Sequence, residues 1–258
     1  MGDGAEGFVV VIPARYQSER LPGKPLADIC GKPMIVRVAE RAAAAGAEQV
    51  IVATDDERIR AAVVDAGHTA MLTRADHGSG SDRVMEVAAA RGWADDAIVV
   101  NVQGDEPLIP PAVIGQVAGC LAADPQLPSA TLCETIDDAE TLHDPNVVKV
   151  VRQANGLAMY FSRAPIPFDR ERGERRDGLT RIDSESWMRH VGIYGYRLAT
   201  LRRFVTLPPS RLELLEKLEQ LRLLENGIGL LVERASAPVP AGVDTPADLE
   251  RVRDLLTS

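Results

Sequence analysis

Three features of the chain predict an α/β protein with a mostly parallel, doubly wound sheet and an antiparallel excursion. Short apolar runs alternate with helical segments closed by glycine through the first two thirds of the sequence, the rhythm of strand-helix-strand units. The strongest runs, 8–12, 50–53 and 97–102, are apolar at nearly every position, as strands covered on both faces must be. After residue 123 the long helices stop and strand-like segments follow one another, which predicts antiparallel pairing.

The elements follow in order. Residues 8–12 read as a buried strand ending at Pro13. Residues 33–46 read as a helix with proline in its first turn and glycine at its end. Residues 50–53 are a second strand, 58–66 a short helix closed by Gly67, and 69–72 a weak strand. Residues 82–91 form a helix closed by Gly92, 97–102 the third strong strand, and 111–122 another helix. Segments 129–135, 147–152, 157–162 and 190–196 are strand-like. Between them the run 169–177 (DRERGERRD) is densely charged and reads as a mobile surface loop. Residues 212–226 are expected to form one amphipathic helix with Leu214, Leu218 and Leu221 on its apolar stripe. Residues 228–233 return as a strand, and 246–256 close the chain as a helix. No repeat or linker divides the sequence, so residues 1–258 read as one domain with a smaller antiparallel lobe at about 129–200.

Composition narrows the function. The 258 residues are 45% hydrophobic but only 4% aromatic, so the core is aliphatic. With 29 Lys and Arg against 38 Asp and Glu, the formal charge is -9. That excludes the broad basic surface on which non-specific nucleic-acid binding depends. No apolar run approaches the length of a membrane span, and residues 1–7 show no basic-then-apolar secretory pattern. Three scattered cysteines (Cys30, Cys120, Cys133) fit reduced thiols in the cytoplasm.

The chemistry concentrates in PARYQSERLPGKP, residues 13–25. This segment follows the first strand, at the carboxyl edge where open α/β sheets bind ligands. Arg15, Arg20 and Lys24 place three cations there, and Pro13, Pro22 and Pro25 stiffen it. Such a loop suits a polyphosphate; a solvated basic turn is the plainer alternative. A Walker A loop and a G-x-G-x-x-G fingerprint are both absent. Asp105 ends the third strong strand in NVQGDEP and faces the same edge, as a magnesium ligand or a turn cap. Asp244 precedes Thr245 and Pro246, where either Asp244 or Thr245 suits a helix N-cap; spacing alone does not pair the two aspartates. His190 and Tyr194 share one strand face with Gly192 and Tyr196. Glu213, Glu216 and Glu219 lie off the leucine stripe and read as a solvated face. Gly31-Lys32-Pro33 reads as the entry to the following helix.

Taken together, PARYQSERLPGKPL, VIVATDD, LTRADHGSGSDR, NVQGDEPLI, FSRAPIPFDR, RHVGIYGYR, LELLEKLEQLR and GVDTPADLERVR occur in order. This set resembles the 3-deoxy-manno-octulosonate cytidylyltransferase family, from about residue 8 to the last helix. The resemblance implies the nucleotide-diphospho-sugar transferase fold and a cytoplasmic homodimer. It implies transfer of CMP from CTP to 3-deoxy-manno-octulosonate (Kdo), with Mg²⁺ as cofactor, for lipopolysaccharide assembly. By position, it assigns Ala14, Arg15, Arg20 and Lys24 to the triphosphate loop, with Arg15, Arg20 and Lys24 as the catalytic cations. Arg74, Ser79 and Gln103 are matched to the cytosine and ribose, Asp105 and Asp244 to the metal. Arg163 is matched to the Kdo carboxylate, and His190, Tyr194 and Glu219 to its hydroxyls. Residues 173–186 are the least similar part.

Overall fold

The structure is a computed structural model, described for residues 7–18, 20–170 and 186–257. Most of the charged run 169–177 and of the dissimilar stretch 173–186 lies outside these residues.

The elements are β1 (Phe8–Ala14), β2 (Asp28–Ile29), β3 (Lys32–Pro33), α1 (Met34–Ala43), β4 (Gln49–Thr54), α2 (Glu57–Asp65), β5 (Thr69–Leu72), α3 (Gly80–Arg91) and β6 (Ile98–Asn101). They continue as α4 (Pro111–Ala123), β7 (Ser129–Thr135), α5 (Ala139–His143), β8 (Lys149–Arg152), β9 (Ala158–Ser162), β10 (Met188–Arg197) and α6 (Leu198–Thr206). The chain ends with α7 (Arg211–Glu216), α8 (Leu221–Glu225), β11 (Leu231–Arg234) and α9 (Pro246–Thr257).

Among the described residues nine strands form one sheet in the order β11-β7-β10-β6-β1-β4-β5, with β8 and β9 branching from β10. The β6-β1-β4-β5 half is parallel. β10 runs antiparallel to both β6 and β7, and β11 returns parallel to β7. Of the four strand-like segments expected after residue 123, two (β7 and β10) therefore complete the main sheet, and two (β8 and β9) form the branch.

Both faces are covered, as the continuous Val/Ile runs require. On one face Val10, Ile12 and Val100 pack with Ile35, Val38, Ile59, Val113 and Val117 from α1, α2 and α4. On the other, Val9, Val11 and Val99 pack with Val84, Val87, Leu201, Phe204 and Leu221 from α3, α6 and α8. β10 carries this two-sidedness in its alternation: Val191 and Ile193 belong to the first core, Tyr194 and Tyr196 to the second. Between the pairs Val191–Leu132 and Tyr194–Thr131, β10 advances three residues and β7 one. Two extra residues keep the alternation in phase, so the irregularity bends the strand without turning its faces over.

Gly31-Lys32-Pro33 leads into α1 as expected, with Pro33 at its N-cap, and it also closes a small hairpin, with Cys30 and Gly31 both at positive φ (49° and 80°), the geometry of a two-residue primed turn. Elsewhere local structure departs from expectation. Residues 198–206 form a helix that the sequence reading did not assign. The predicted 212–226 helix is broken: Lys217 sits in the left-handed region (φ 55°), separating α7 from α8. Leu218 and Leu221 are buried as expected, but Leu214 is 54% exposed because α7 takes a different axis.

That break also overturns the solvated reading of the three glutamates. Glu213 forms an ion pair with Arg222 and completes a capping box at Ser210. Glu216 accepts from Ser162 Oγ at 2.6 Å and from the Arg163 amide at 3.0 Å. Glu219 turns toward α3, where it accepts from Ser81 Oγ at 3.2 Å.

Candidate active site

β1 and β6 are hydrogen-bonded neighbours, so the loops leaving their carboxyl ends face each other. Gly104 makes the approach possible: a Cβ there would lie 2.8 Å from the Pro13 carbonyl oxygen. Between the two loops is a cavity of about 350 Å³ lined by Ala14, Arg15, Arg20, Lys24, Gln103, Asp105 and Asp244, among others. The structure thus brings together all three expected cations of the loop, Gln103 and both aspartates.

Lys24 is the centre of the arrangement. A left-handed Gly23 (φ 68°) and a single 3-10 turn with proline at its start aim it inward. Its Nζ donates to Asp105 Oδ2 at 2.6 Å, to Asp244 Oδ1 at 3.1 Å and to the Val243 carbonyl at 3.0 Å. Burial lowers the Lys24 pKa, but Asp105 and Asp244 outweigh it, and the net shift is upward; the amine stays an ammonium ion. Arg20 reaches the same Asp244 oxygen at 3.1 Å. The cap ambiguity at α9 resolves on geometry. Thr245 exchanges hydrogen bonds with Asp248, its Oγ1 accepting from the Asp248 amide, which leaves the Asp244 carboxylate to face Lys24.

Asp105 and Asp244 could both offer a carboxylate oxygen to a magnesium ion, which takes one or two protein carboxylates and completes its shell with phosphate and water. Among the described residues no cluster of three or more metal-ligating side chains occurs, so the fit is to an ion carried largely by its substrate. Beside the pair, Glu106 is pushed up to about 8, first by burial and then by the Asp105 charge. The sequence reading did not single it out.

The remaining nucleotide candidates are placed less uniformly. Arg15 donates through Nη2 to the His77 carbonyl and so ties β1 to the loop before α3. Ser79 caps α3 in a capping box with Asp82. Arg74 is exposed and paired with Asp76 at the far end of the same loop; it does not line the cavity.

Two of the expected sugar-acid residues, His190 and Tyr194, lie on the second face of β10. His190 stands between Phe161 (ring centroids 5.0 Å) and Tyr194 (5.4 Å). Thr131 Oγ1 lies 2.7 and 3.1 Å from the Ile193 and Val191 carbonyls and 3.0 Å from His190 Nε2. The hydroxyl has one proton and two carbonyl acceptors, so Nε2 takes the donor role and Nδ1 is left as an acceptor. Glu219 is pushed up by burial, with the Ser79 hydroxyl, the Arg222 charge and the Ser81 hydroxyl opposing; its Oε1 is buried without a hydrogen-bond partner, Arg222 Nη2 standing 3.9 Å away. The buried Asn101 Oδ1, on the strand neighbouring Tyr194, is likewise unpartnered. Arg163 stands apart, its guanidinium donating to the Glu216 carbonyl at 2.7 Å and the Pro145 carbonyl at 2.9 Å.

His190 supplies a pH test. Burial, with the Arg189 charge adding to it, pushes the imidazole down to about 3 from 6.5. The unfolded chain takes up this proton below about 6.5 and the folded chain does not. Folding stability should therefore fall as pH drops from about 6.5 toward 3, and His190→Gln should flatten that part of a Tm–pH profile. An unchanged slope would show that the folded ring protonates normally.

A phosphate-suited loop after β1, Asp105 after β6 and Asp244 on the stretch before α9 thus meet around one crevice at the carboxyl edge of the parallel half-sheet, and comparison with known proteins identifies the class as nucleotidyltransferase. A nucleotidyl transferase from Methanothermobacter thermautotroptrophicus, 16% identical, superposes over 98% of this chain and 99% of its own with a TM-score of 0.61 and shares the fold. The cytidylyltransferase family profile matches residues 9–234. Proteins named 3-deoxy-manno-octulosonate cytidylyltransferase from Alcanivorax borkumensis and Cellvibrio japonicus are each 55% identical, over 95% and 96% of this chain and 97% and 98% of theirs. A CMP:2-keto-3-deoxy-manno-octonic acid synthetase solved in complex with CTP is 47% identical, with a TM-score of 0.86 over 97% of this chain and 98% of that one. The chain belongs to the 3-deoxy-manno-octulosonate cytidylyltransferase family.

Proposed function

We propose that this chain transfers CMP from CTP to the anomeric 2-hydroxyl of Kdo, releasing pyrophosphate and forming CMP-Kdo. The observation that carries the site assignment is the contact of Lys24 with both Asp105 and Asp244 across the cavity at the β1 and β6 edges.

In this reading the hydroxyl oxygen of Kdo forms a bond to the α-phosphorus while the bond from that phosphorus to the β-bridging oxygen breaks. The hydroxyl proton is lost to solvent and pyrophosphate leaves with the bond electrons. Such a transfer asks the protein mainly for alignment and charge neutralisation. Arg15 and Arg20 hold the departing phosphates. Lys24 takes the charge that accumulates on the α-phosphate as it becomes five-coordinate. Ala14 and Gln103, which line the cavity, border the nucleoside; Ser79 holds the start of α3 beside it, and Arg74, paired with Asp76 outside the cavity, is left without a role in this reading. His190 Nδ1, Tyr194 and Glu219 supply hydrogen-bond groups for the Kdo hydroxyls; Arg163, held by the Glu216 and Pro145 carbonyls, would have to leave them to reach the carboxylate. Asp105 and Asp244 would hold Mg²⁺, which when bound neutralises phosphate charge and lowers the hydroxyl pKa.

The product's use in lipopolysaccharide assembly, a homodimeric state and a cytoplasmic location belong to the same proposal. No helix among the described residues is long and apolar enough to cross a membrane.

Pyrophosphate release from CTP and Mg²⁺ with Kdo, compared with sialic acid, tests the acceptor; faster turnover of sialic acid would refute it. Asp105→Asn and Asp244→Asn are expected to lower kcat roughly a hundredfold or more, because each weakens the hold on the cation that would neutralise the charge developing on the phosphate. Turnover equal to the parent's in both variants removes them from the metal site.

A further inference from the structure

Asp244 sits on a stretch, 235–245, that belongs to no helix or strand, yet a metal-binding carboxylate must be held to within a fraction of an ångström to function. The cross-strand neighbours Glu134 on β7 and Arg189 on β10 form an ion pair, and together they grip the Val239 peptide at both ends. Arg189 Nη2 donates to the Val239 carbonyl at 2.6 Å, and the Val239 amide donates to Glu134 Oε1 at 2.8 Å. Positions 238 and 240 are proline, so Val239 carries the one backbone N–H of this tripeptide, and Pro240 biases Val239 toward an extended conformation. The Val239 side chain is buried in the first core.

From that anchor the chain runs against the 105–106 loop. A Cβ on Gly242 would lie 2.9 Å from Glu106 Oε1 and 3.0 Å from the Asp105 carbonyl oxygen. The Val243 amide then donates to the Asp105 carbonyl at 2.9 Å, one residue before Asp244. Arg251 Nη2 steadies the interval by donating to the Ala241 and Gly242 carbonyls at 2.9 and 3.1 Å.

We propose that the Glu134–Arg189 pair is a positioning device that fixes Asp244 opposite Asp105 by clamping Val239. The proposal rests on the reading of Asp105 and Asp244 as metal ligands. Neither Glu134 nor Arg189 touches substrate in it; they act through the strap.

The test uses Mn²⁺ as the probe, titrated into the CTP-loaded full chain without Kdo, with free Mn²⁺ read by electron paramagnetic resonance. Arg189→Met is expected to weaken Mn²⁺ binding roughly ten- to a hundredfold, the usual cost of losing a group that orients a ligand. Arg189→Lys should recover part of the loss, since it keeps the cation but not the fork. CTP affinity without a divalent ion should change little, and amide exchange at Val239 and Val243 should accelerate. Glu134→Gln keeps an acceptor for the Val239 amide and should weaken Mn²⁺ less than Arg189→Met. If Arg189→Met does not fold, Arg189→Lys decides by the same readout. Parent-like Mn²⁺ affinity in the folded Arg189 variants, beside a weakened Asp244→Asn, overturns the clamp. Parent-like affinity in Asp244→Asn overturns the metal reading beneath it and the clamp with it.

Discussion

Replacing Lys24 with alanine is expected to lower kcat roughly a hundred- to a thousandfold, the scale seen when a preorganised donor to developing charge is removed. The KM for CTP should rise far less. The geometry explains the asymmetry. Arg15 and Arg20 also line the cavity and remain to bind a triphosphate, whereas Lys24 alone among the three contacts both aspartates. Its removal also leaves Asp105 without its ion-pair partner, so part of the loss comes from a disturbed acidic pair. Lys24→Arg separates the two contributions. The guanidinium keeps the charge but not the compact geometry, and a variant that binds CTP normally but stays slow assigns the loss to placement. A kcat near the parent's in Lys24→Ala, with the effect confined to KM, would remove Lys24 from the chemical step.

Asp55→Ala carries the largest expected cost in stability. Its partner Arg83, on α3, is fully buried (0% exposed), and Arg83 Nη2 donates to Asp55 Oδ2 at 2.8 Å while Nη1 donates to Thr73 Oγ1. Arg83 Nε already lacks a partner, so no spare contact exists to absorb the loss. Removing one side of a buried ion pair costs about 3–5 kcal/mol because the other charge is stranded, and in a protein of this size that lowers Tm by roughly 10 °C. Thermal unfolding of Asp55→Ala beside the double variant Asp55→Ala/Arg83→Met measures it. The double variant should be the more stable of the two, since it no longer strands a cation. If Asp55→Ala melts like the parent, Arg83 is reached by water and the pair is not buried in solution.

The parallel half of the sheet was legible because its signal is local. The β-branched runs at 8–12, 50–53 and 97–102 and the closing glycines at 67 and 92 need no knowledge of the rest of the chain. The cationic loop was legible for the same reason: its charges, prolines and place after a strand all fall within thirteen residues. What failed needed distant partners. Nothing around Lys217 signals a left-handed residue, since glycine is the usual occupant and lysine pays a conformational penalty there. The 3.6-residue pattern of 212–226 therefore read as unbroken, and Glu216 and Glu219 were left facing solvent. Asp244 stayed ambiguous because both it and Thr245 suit a cap, and only the Thr245–Asp248 exchange separates them. Glu106, Arg83 and the Glu134–Arg189 pair were missed altogether. Each is an ordinary surface-type residue by sequence, and burial or strand register alone gives it meaning. The adjacent Arg189-His190 dyad was the nearest available clue.

The two-residue irregularity in β10 makes that strand a spindle for the whole centre. Consecutive residues face opposite ways: Arg189 reaches the Val239 strap and His190 the Thr131 side, so in the reading proposed above one serves the metal-binding acid and the other the acceptor. An insertion of one residue upstream would exchange the two and ruin both, whereas an insertion of two leaves each where it belongs.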